Sequence, residues 1–174
     1  MALADKRRER EDAERAAAFW EKLDPSKAKL YNFIRKSLGF SVESDDVYQE
    51  TVLRAFQYVR TYQEGRSFEA WLFGIAHNEI RKHFRKSSRV PVTIEIERWI
   101  TADNLPDRIL AGEVYRVAEN LKPRFREVFF LFYDAEFSIK DISRITGLRE
   151  GNVKLILNRI RKILKARLGA SHGR

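Results

Sequence analysis

The sequence predicts an all-α protein made of two small helical domains joined by a flexible linker. Long stretches are built from Ala, Leu, Arg, Lys, Glu and Ile, which favour helix, and the 174 residues include only eight glycines and four prolines. So few turn-forming residues argue against a turn-rich β protein. Two stretches with helical periodicity are separated by a stretch of different character, which indicates two domains.

Four helices are expected in the N-terminal domain. They span about 5–22, 25–38, 45–62 and 68–86. Pro25 breaks the first helix, and Gly39 follows the second at a position where glycine often ends a helix. Ser44 or Asp45 is expected to cap the third.

The third and fourth helices sort their side chains by face. In the third, the residues expected to point inward are Tyr48, Val52, Ala55, Phe56 and Val59. The polar residues that recur on another side of it are Asp46, Glu50, Arg54 and Gln57. In the fourth, one side carries Trp71, Asn78, Arg81 and Arg85.

The segment after residue 86 changes character. It contains two prolines and a short β-like alternation over 92–97 with no partner strand, so we interpret it as an interdomain linker. The predicted boundaries are 1–86 for the first domain, 87–107 for the linker, 108–168 for the second domain and 169–174 for a tail.

The second domain ends in a segment typical of a helix-turn-helix. Ser138 can cap a first short helix, with Asp141 three residues later, and Gly147 lies in the turn. Apolar residues then recur along a final helix at Val153, Ile156, Leu157, Ile160 and Leu164.

The final helix carries a polar stripe that could enter a DNA major groove. At about 100° per residue the stripe comprises Lys154, Asn158, Arg161 and Lys165. Lys162 is a further candidate, and Arg149 and Asn152 lie near the start of the helix. Residues 113–174 carry 14 basic and 7 acidic side chains, which favours a polyanionic partner. A plain solvated helix face would show a similar stripe.

Several classes of protein are disfavoured. The chain has no cysteine, which excludes disulfides and thiolate metal sites, and no apolar run approaches the about 20 residues of a membrane span. The N-terminus lacks the apolar core of a signal peptide, so a cytoplasmic protein without membrane insertion is expected. His77 and His83 lie six residues apart, which does not fit a metal-binding helix face, and both are expected on helix surfaces. We therefore expect no metal, no cofactor and no catalytic residue.

Two segments together resemble the extracytoplasmic-function (ECF, group 4) sigma factors of the sigma-70 type. DDVYQETVLRAF followed by FEAWLFGIAHNEIRKHFRK is similar to sigma region 2, and LKPRFREVFFLFYDAEFSIKDISRITGLREGNVKLILNRIRKIL is similar to region 4. The resemblance covers roughly residues 25–86 and 107–167. The sequence departs from the family pattern at Gly74, Lys82, Arg149 and Asn152, which leaves the base preference open.

The resemblance implies a bacterial sigma factor that binds core RNA polymerase, through the β′ coiled coil and the β flap, and directs initiation at promoters of a stress or envelope-response regulon. The implied polymerase contacts are Asp46, Gln49, Glu50, Arg54 and Gln57. Those implied for the −10 element, as melted single-stranded DNA, are Arg66, Trp71, Asn78, Arg81 and Arg85. Those implied for the −35 element, as duplex, are Arg149, Asn152, Lys154, Asn158, Arg161, Lys162 and Lys165.

The sequence leaves three points open. Trp71 could equally be a core residue or a platform for an unstacked base. An anti-sigma factor is an expected partner, since many relatives have one. The alternative function is a stand-alone helix-turn-helix regulator that never binds polymerase; a recombinase-like or terminase-like enzyme would need a catalytic domain for which 174 residues offer no candidate.

Overall fold

The computed structural model describes residues 2–87 and 111–171, with the side chains of residues 10, 13–86 and 112–168. Within these ranges the chain forms helices and turns and no strand, which confirms the predicted all-α class. The helices are α1 (Ala2–Leu23), α2 (Lys27–Ser37), α3 (Ser44–Tyr58), α4 (Phe68–Ser87), α5 (Ala111–Glu119), α6 (Pro123–Phe129), α7 (Ile139–Thr146) and α8 (Glu150–Ser171). The predicted linker beyond residue 87 lies outside the described residues.

Helices α1–α4 form the N-terminal helical unit around an apolar interior. The chain passes from α1 to α2 through a single 3-10 turn, Asp24–Ser26, since Pro25 cannot continue the α-helical hydrogen bonds. After α2, Gly39 has a φ of +69°, a left-handed conformation that is cheap only for glycine. The interior includes the fully buried side chains of Phe19, Leu30, Phe33, Ile34 and Leu72.

The predicted inward face of α3 is confirmed in part. Ala55 is buried, and the other four predicted residues are partly buried and pack against the core: Tyr48, Val52, Phe56 and Val59. Val47 and Thr51, which were not among the predicted residues, are buried as well. Thr51 can be buried because its hydroxyl donates a hydrogen bond to the Val47 carbonyl oxygen at 2.7 Å. Apolar periodicity did not identify Thr51 because the residue is polar.

The predicted cap of α3 by Ser44 or Asp45 is wrong. The helix begins at Ser44 itself, and no side chain caps it at the preceding Glu43. The Ser44 hydroxyl donates to the Ser41 carbonyl oxygen at 2.6 Å, so the turn before the helix uses the group that was expected to cap it.

Helices α5–α8 form the C-terminal helical unit. Pro123 begins α6, where its missing N–H costs nothing because the first helical turn leaves that donor unpaired anyway. The helix continues into a π-helical segment, Phe130–Asp134. Side chains 128–131 are buried, so this part of the chain lies in the interior of the unit.

The two helical units are in contact, which the sequence did not predict. Helix α4 packs against α7, and α2 packs against α6 and the π-helical segment. The rings of Phe73 and Phe137 meet with their centroids 4.9 Å apart. Lys36 Nζ lies 2.7 Å from a carboxylate oxygen of Asp134, so both apolar and ionic contacts cross the boundary.

A buried histidine–carboxylate pair also joins the units. His77 Nδ1 on α4 lies 2.5 Å from Glu127 Oε1 on α6, and both side chains are buried. The prediction that His77 lies on a helix surface is therefore wrong, because the C-terminal unit covers the side of α4 that carries it. His83 is half-buried beside Glu43, within the N-terminal unit, with 3.2 Å between its Nε2 and a carboxylate oxygen.

Candidate polymerase and nucleic-acid interfaces

Helices α7 and α8 adopt the geometry of a helix-turn-helix. The Ser138 hydroxyl oxygen accepts a hydrogen bond from the Asp141 backbone N–H at 3.1 Å and donates to the Asp141 carboxylate at 2.6 Å, which confirms the predicted cap. Gly147 ends α7 with a φ of +69°, as the turn requires. The five predicted apolar positions of α8, from Val153 to Leu164, are all buried.

The buried apolar stripe of α8 leaves its other side to solvent. The exposed candidates for duplex DNA are Arg149, Asn152, Lys154, Asn158 and Lys165. These cations and amides suit phosphates and the acceptor-rich edges of bases.

Arg161 lies at the edge of this face and is half-buried. Its Nε donates to the hydroxyl of Tyr133 at 3.1 Å, and a terminal nitrogen donates to Asn158 Oδ1 at 3.1 Å. Arg161 therefore holds the Asn158 amide so that its NH₂ group points away from the guanidinium. This bridging geometry could not be read from the sequence, because Tyr133 lies 28 residues away.

Lys162 differs from the other candidates. Its Nζ is enclosed, and among the described residues it has no hydrogen-bond partner. The ammonium is therefore not presented to solvent with those of Lys154 and Lys165. Its role in binding DNA stays a prediction.

Helix α4 and the loop before it carry the second set of candidates. Asn78, Arg81 and Arg85 are exposed on one side of α4, and Arg66 is exposed in the loop. Trp71 is half-buried, with its ring 5.7 Å from that of Tyr62 and 5.4 Å from that of Phe68. Trp71 is thus neither a core residue nor a free one, and part of its ring stays accessible.

The loop 62–67 is fixed at both ends. The Tyr62 hydroxyl donates to the Arg66 carbonyl oxygen at 2.7 Å, and the Ser67 hydroxyl oxygen accepts from the Ala70 backbone N–H at the start of α4. Lys22 Nζ of α1 lies 5.0 Å from the centroid of the Tyr62 ring. Between these anchors Gly65, with a φ of +91°, lets the backbone turn back.

The polar face of α3 is divided into two groups. Asp46, Gln49 and Gln57 are exposed. Between them Leu53 is 52% exposed. It is not among the contacts predicted from the sequence, although an apolar residue within a polar stripe can indicate a binding surface. This exposed strip is the part of α3 that is open to a partner.

Glu50 and Arg54 belong instead to an ion-pair network with α4. Arg54 Nε lies 2.8 Å from a carboxylate oxygen of Glu50 and 2.8 Å from one of Glu79, and Lys82 Nζ lies 3.2 Å from Glu79. The charge of Glu79, followed by the hydrogen bond to Glu50, raises the pKa of Arg54 above its ordinary value. These side chains tie α3 to α4.

Two further features bear on the class of protein. Within residues 2–87 and 111–171, no three His, Asp or Glu side chains cluster so as to hold a metal ion. Among the helices of the same ranges, none combines the length and apolar character of a bilayer span. The expected absence of a cofactor remains a prediction.

Comparisons with known proteins divide the chain at the same place as the fold. The family model for sigma-70 region 2 matches residues 23–90, and that for sigma-70 region 4 matches residues 111–164. The ECF RNA polymerase sigma factor EcfG of Rhodopseudomonas palustris is 33% identical over 133 residues, which are 75% of this chain and 74% of the relative. The chain belongs to the ECF RNA polymerase sigma factors.

Other relatives agree with this assignment. The ECF sigma factor BldN of Streptomyces coelicolor is 30% identical over 157 residues, 85% of this chain, and the match spans 59% of that relative. The sigma factor RpoE of Bartonella quintana, solved in complex with the anti-sigma factor NepR, shares the fold with a TM-score of 0.71 and 23% identity, covering 90% of this chain and 99% of that one. Sigma factors are regulatory proteins and not enzymes.

The residues matched by the two family models place region 2 of this sigma factor in α2–α4 and region 4 in α5–α8.

Proposed function

We propose that this sigma factor binds core RNA polymerase and directs it to the promoters of a stress or envelope-response regulon, in the cytoplasm and without catalytic activity of its own. The observation that carries the proposal is the presence of regions 2 and 4 in one chain, each with an exposed polar face. A stand-alone DNA-binding regulator has no use for the exposed strip on α3.

The strip on α3 is the proposed contact with the β′ coiled coil of polymerase. Asp46, Gln49 and Gln57 would supply charged and polar contacts that set orientation, and Leu53 would supply apolar area at their centre. Glu50 and Arg54, held by the ion-pair network, would position the strip and meet the partner through their remaining exposed surface. The C-terminal unit would contact the β flap.

The loop 62–67 and the exposed side of α4 form the proposed site for the −10 element. A base that leaves the duplex needs a stacking partner to offset the few kcal/mol lost on unstacking. The half-buried Trp71 ring is held by Tyr62 and Phe68, so an arriving base would meet a preordered surface. Arg66 in the loop would hold the strand, together with the exposed side chains that follow along α4, Asn78, Arg81 and Arg85.

The exposed face of α8 is the proposed reader of the −35 element as duplex. Its buried stripe fixes the helix on α7, so that Lys154 and Asn158 stand clear of the domain. Arg149 and Asn152 near the start of the helix would approach bases or phosphates first, and Lys165 would meet the backbone further along. Lys162 would take part only if its side chain moves outward.

An anti-sigma factor is a proposed partner. The support is that the similar sigma factor from Bartonella quintana was solved in complex with one. Affinity purification of the tagged chain from its native host should recover an inhibitory protein. Recovery of core polymerase subunits without any inhibitor would count against this part of the proposal.

Two exposed leucines allow a test with matched variants. Leu53 on α3 is 52% exposed and Leu155 on α8 is 56% exposed, so alanine at either position should leave the fold intact. Mixed with core polymerase on a sizing column, the wild-type chain and Leu155→Ala should co-elute with it, whereas Leu53→Ala should dissociate more readily. If the wild-type chain binds duplex DNA but never co-elutes, the stand-alone regulator is the correct alternative.

A further inference from the structure

The side chain of Leu155 lies at the centre of the outer face of α8. At about 100° per residue it is on the side of the helix opposite the buried stripe of Val153, Ile160 and Leu164. It is 56% exposed, so packing within the domain does not explain it. A single exposed leucine is ordinary by itself, and its neighbours decide whether it has a role.

The neighbours of Leu155 form a surface suited to a ligand that carries both negative charges and apolar groups. Lys154 and Asn158 are exposed beside it, and the Asn158 amide is held in place by Arg161. One turn earlier, Gly151 carries no side chain, and a Cβ there would have no atom within 4 Å. The backbone is therefore uncovered at Gly151, and the apolar side chain of Leu155 projects from the helix one turn later.

We propose that Leu155 determines specificity by contacting the C5 methyl group of a thymine in the −35 duplex. Among the base edges of the major groove, only thymine offers a methyl group, and an apolar side chain is its natural contact. Leu155 lies in the N-terminal third of α8, the part of a recognition helix that reaches base edges, and the missing side chain at Gly151 lets the helix approach closely. The inference rests on the proposed function of α8 as the reader of duplex DNA.

The test removes one methyl group at a time. Duplexes are selected from a randomised library by the full-length chain assembled with core polymerase, and each enriched thymine is then replaced by uracil, which lacks only that methyl. Burial of one methyl group predicts that replacement at a single position weakens binding about fourfold. Leu155→Ala should weaken binding to the thymine duplex by a similar factor and should bind thymine and uracil duplexes equally.

Lys154→Ala is the matched control on the same face. It removes a charge and leaves the methyl contact in place, so it should weaken binding to both duplexes while the thymine preference of about fourfold remains. Fluorescence anisotropy at one fixed salt concentration gives all the ratios.

Two results would overturn the inference. One is a wild-type chain that binds selected duplexes with no loss at any uracil position. The other is a Leu155→Ala variant that keeps the thymine preference of the wild-type chain. This second result includes a variant that loses binding to a protein partner while its preference for thymine stays unchanged. If the chain fails to assemble with core polymerase, the proposed function fails, and the same uracil series run on the chain alone still decides whether Leu155 reads a methyl group.

Discussion

Replacing Glu127 by alanine should loosen the contact between the two helical units. Glu127 is the hydrogen-bond partner of His77, and both side chains are buried. The other ring nitrogen of His77 already has no partner among the described residues. In the closed arrangement, in which the two units are in contact, the variant would leave the His77 imidazole buried and unpaired, at a cost of about 1–3 kcal/mol. In an open arrangement, in which the units have separated, the imidazole would return to water. That free energy shifts the ratio of closed to open chains by about 5- to 150-fold toward open.

The shift can be measured as a distance. Because the sequence has no cysteine, Asn32→Cys and Lys140→Cys introduce two labelling sites on exposed positions of α2 and α7. Energy transfer between dyes should report one short distance in the parent chain and a growing long-distance population in Glu127→Ala. Glu43→Ala, which breaks the His83–Glu43 pair inside the N-terminal unit, should leave the distance unchanged. Identical distance distributions in Glu127→Ala and its parent would refute the reasoning.

The closed arrangement also bears on promoter binding. The names of the −10 and −35 elements give their positions on the DNA, about 25 base pairs apart, which is roughly 85 Å of straight duplex. A compact chain of this length has a radius of gyration of about 16 Å, so two units in contact cannot reach both elements. If the two units bind the two elements as proposed, they must separate when the promoter is bound. Glu127→Ala should therefore form the promoter complex faster than the parent chain.

Five further substitutions test other parts of the account. Arg161→Ala should weaken duplex binding by about 1–3 kcal/mol while polymerase association stays intact, and loss of both activities would contradict the division between the units. Lys154→Ala should weaken binding to all duplexes and should also reduce the dependence of the affinity on salt. Gly147→Ala should destabilise the chain by about 1 kcal/mol because of the left-handed backbone there. Gly151→Ala, in the first turn of α8 and facing open space, should stabilise the chain by about 0.5 kcal/mol. Urea unfolding measures both changes, and equal signs would contradict the turn geometry. Burial, together with a hydrogen bond to a carboxylate, raises the pKa of Tyr115 to about 12. Its contribution to the free energy of unfolding is therefore complete below about pH 10 and is lost as the pH rises toward 12. Tyr115→Phe should flatten that part of the curve of stability against pH, and parallel curves for the two chains would count against it.

Local chemistry made most of the fold predictable. Turn signals such as Pro25, Gly39 and Gly147 act within a few residues, so the breaks between helices could be read directly. The capping of α7 by Ser138 was predictable for the same reason. The cap of α3 was not, because the Ser44 hydroxyl had an equally close competitor in the Ser41 carbonyl group.

Contacts between distant segments were not predictable. Periodicity identifies a polar face but does not say whether its side chains meet solvent or another helix. For this reason Glu50 and Arg54 were grouped with Asp46, although an ion-pair network ties them to α4. The pairing of His77 with a residue 50 positions away could not be read from the sequence either, since nothing near it in the chain marks it as buried.

The most direct test is transcription in vitro with purified components. Core polymerase is mixed with fragments of host DNA, with and without this chain, and the 5′ ends of the transcripts are mapped. The account predicts new start sites that require the chain, share two upstream elements and are used less with Leu53→Ala. Transcripts that are the same with and without the chain would contradict it.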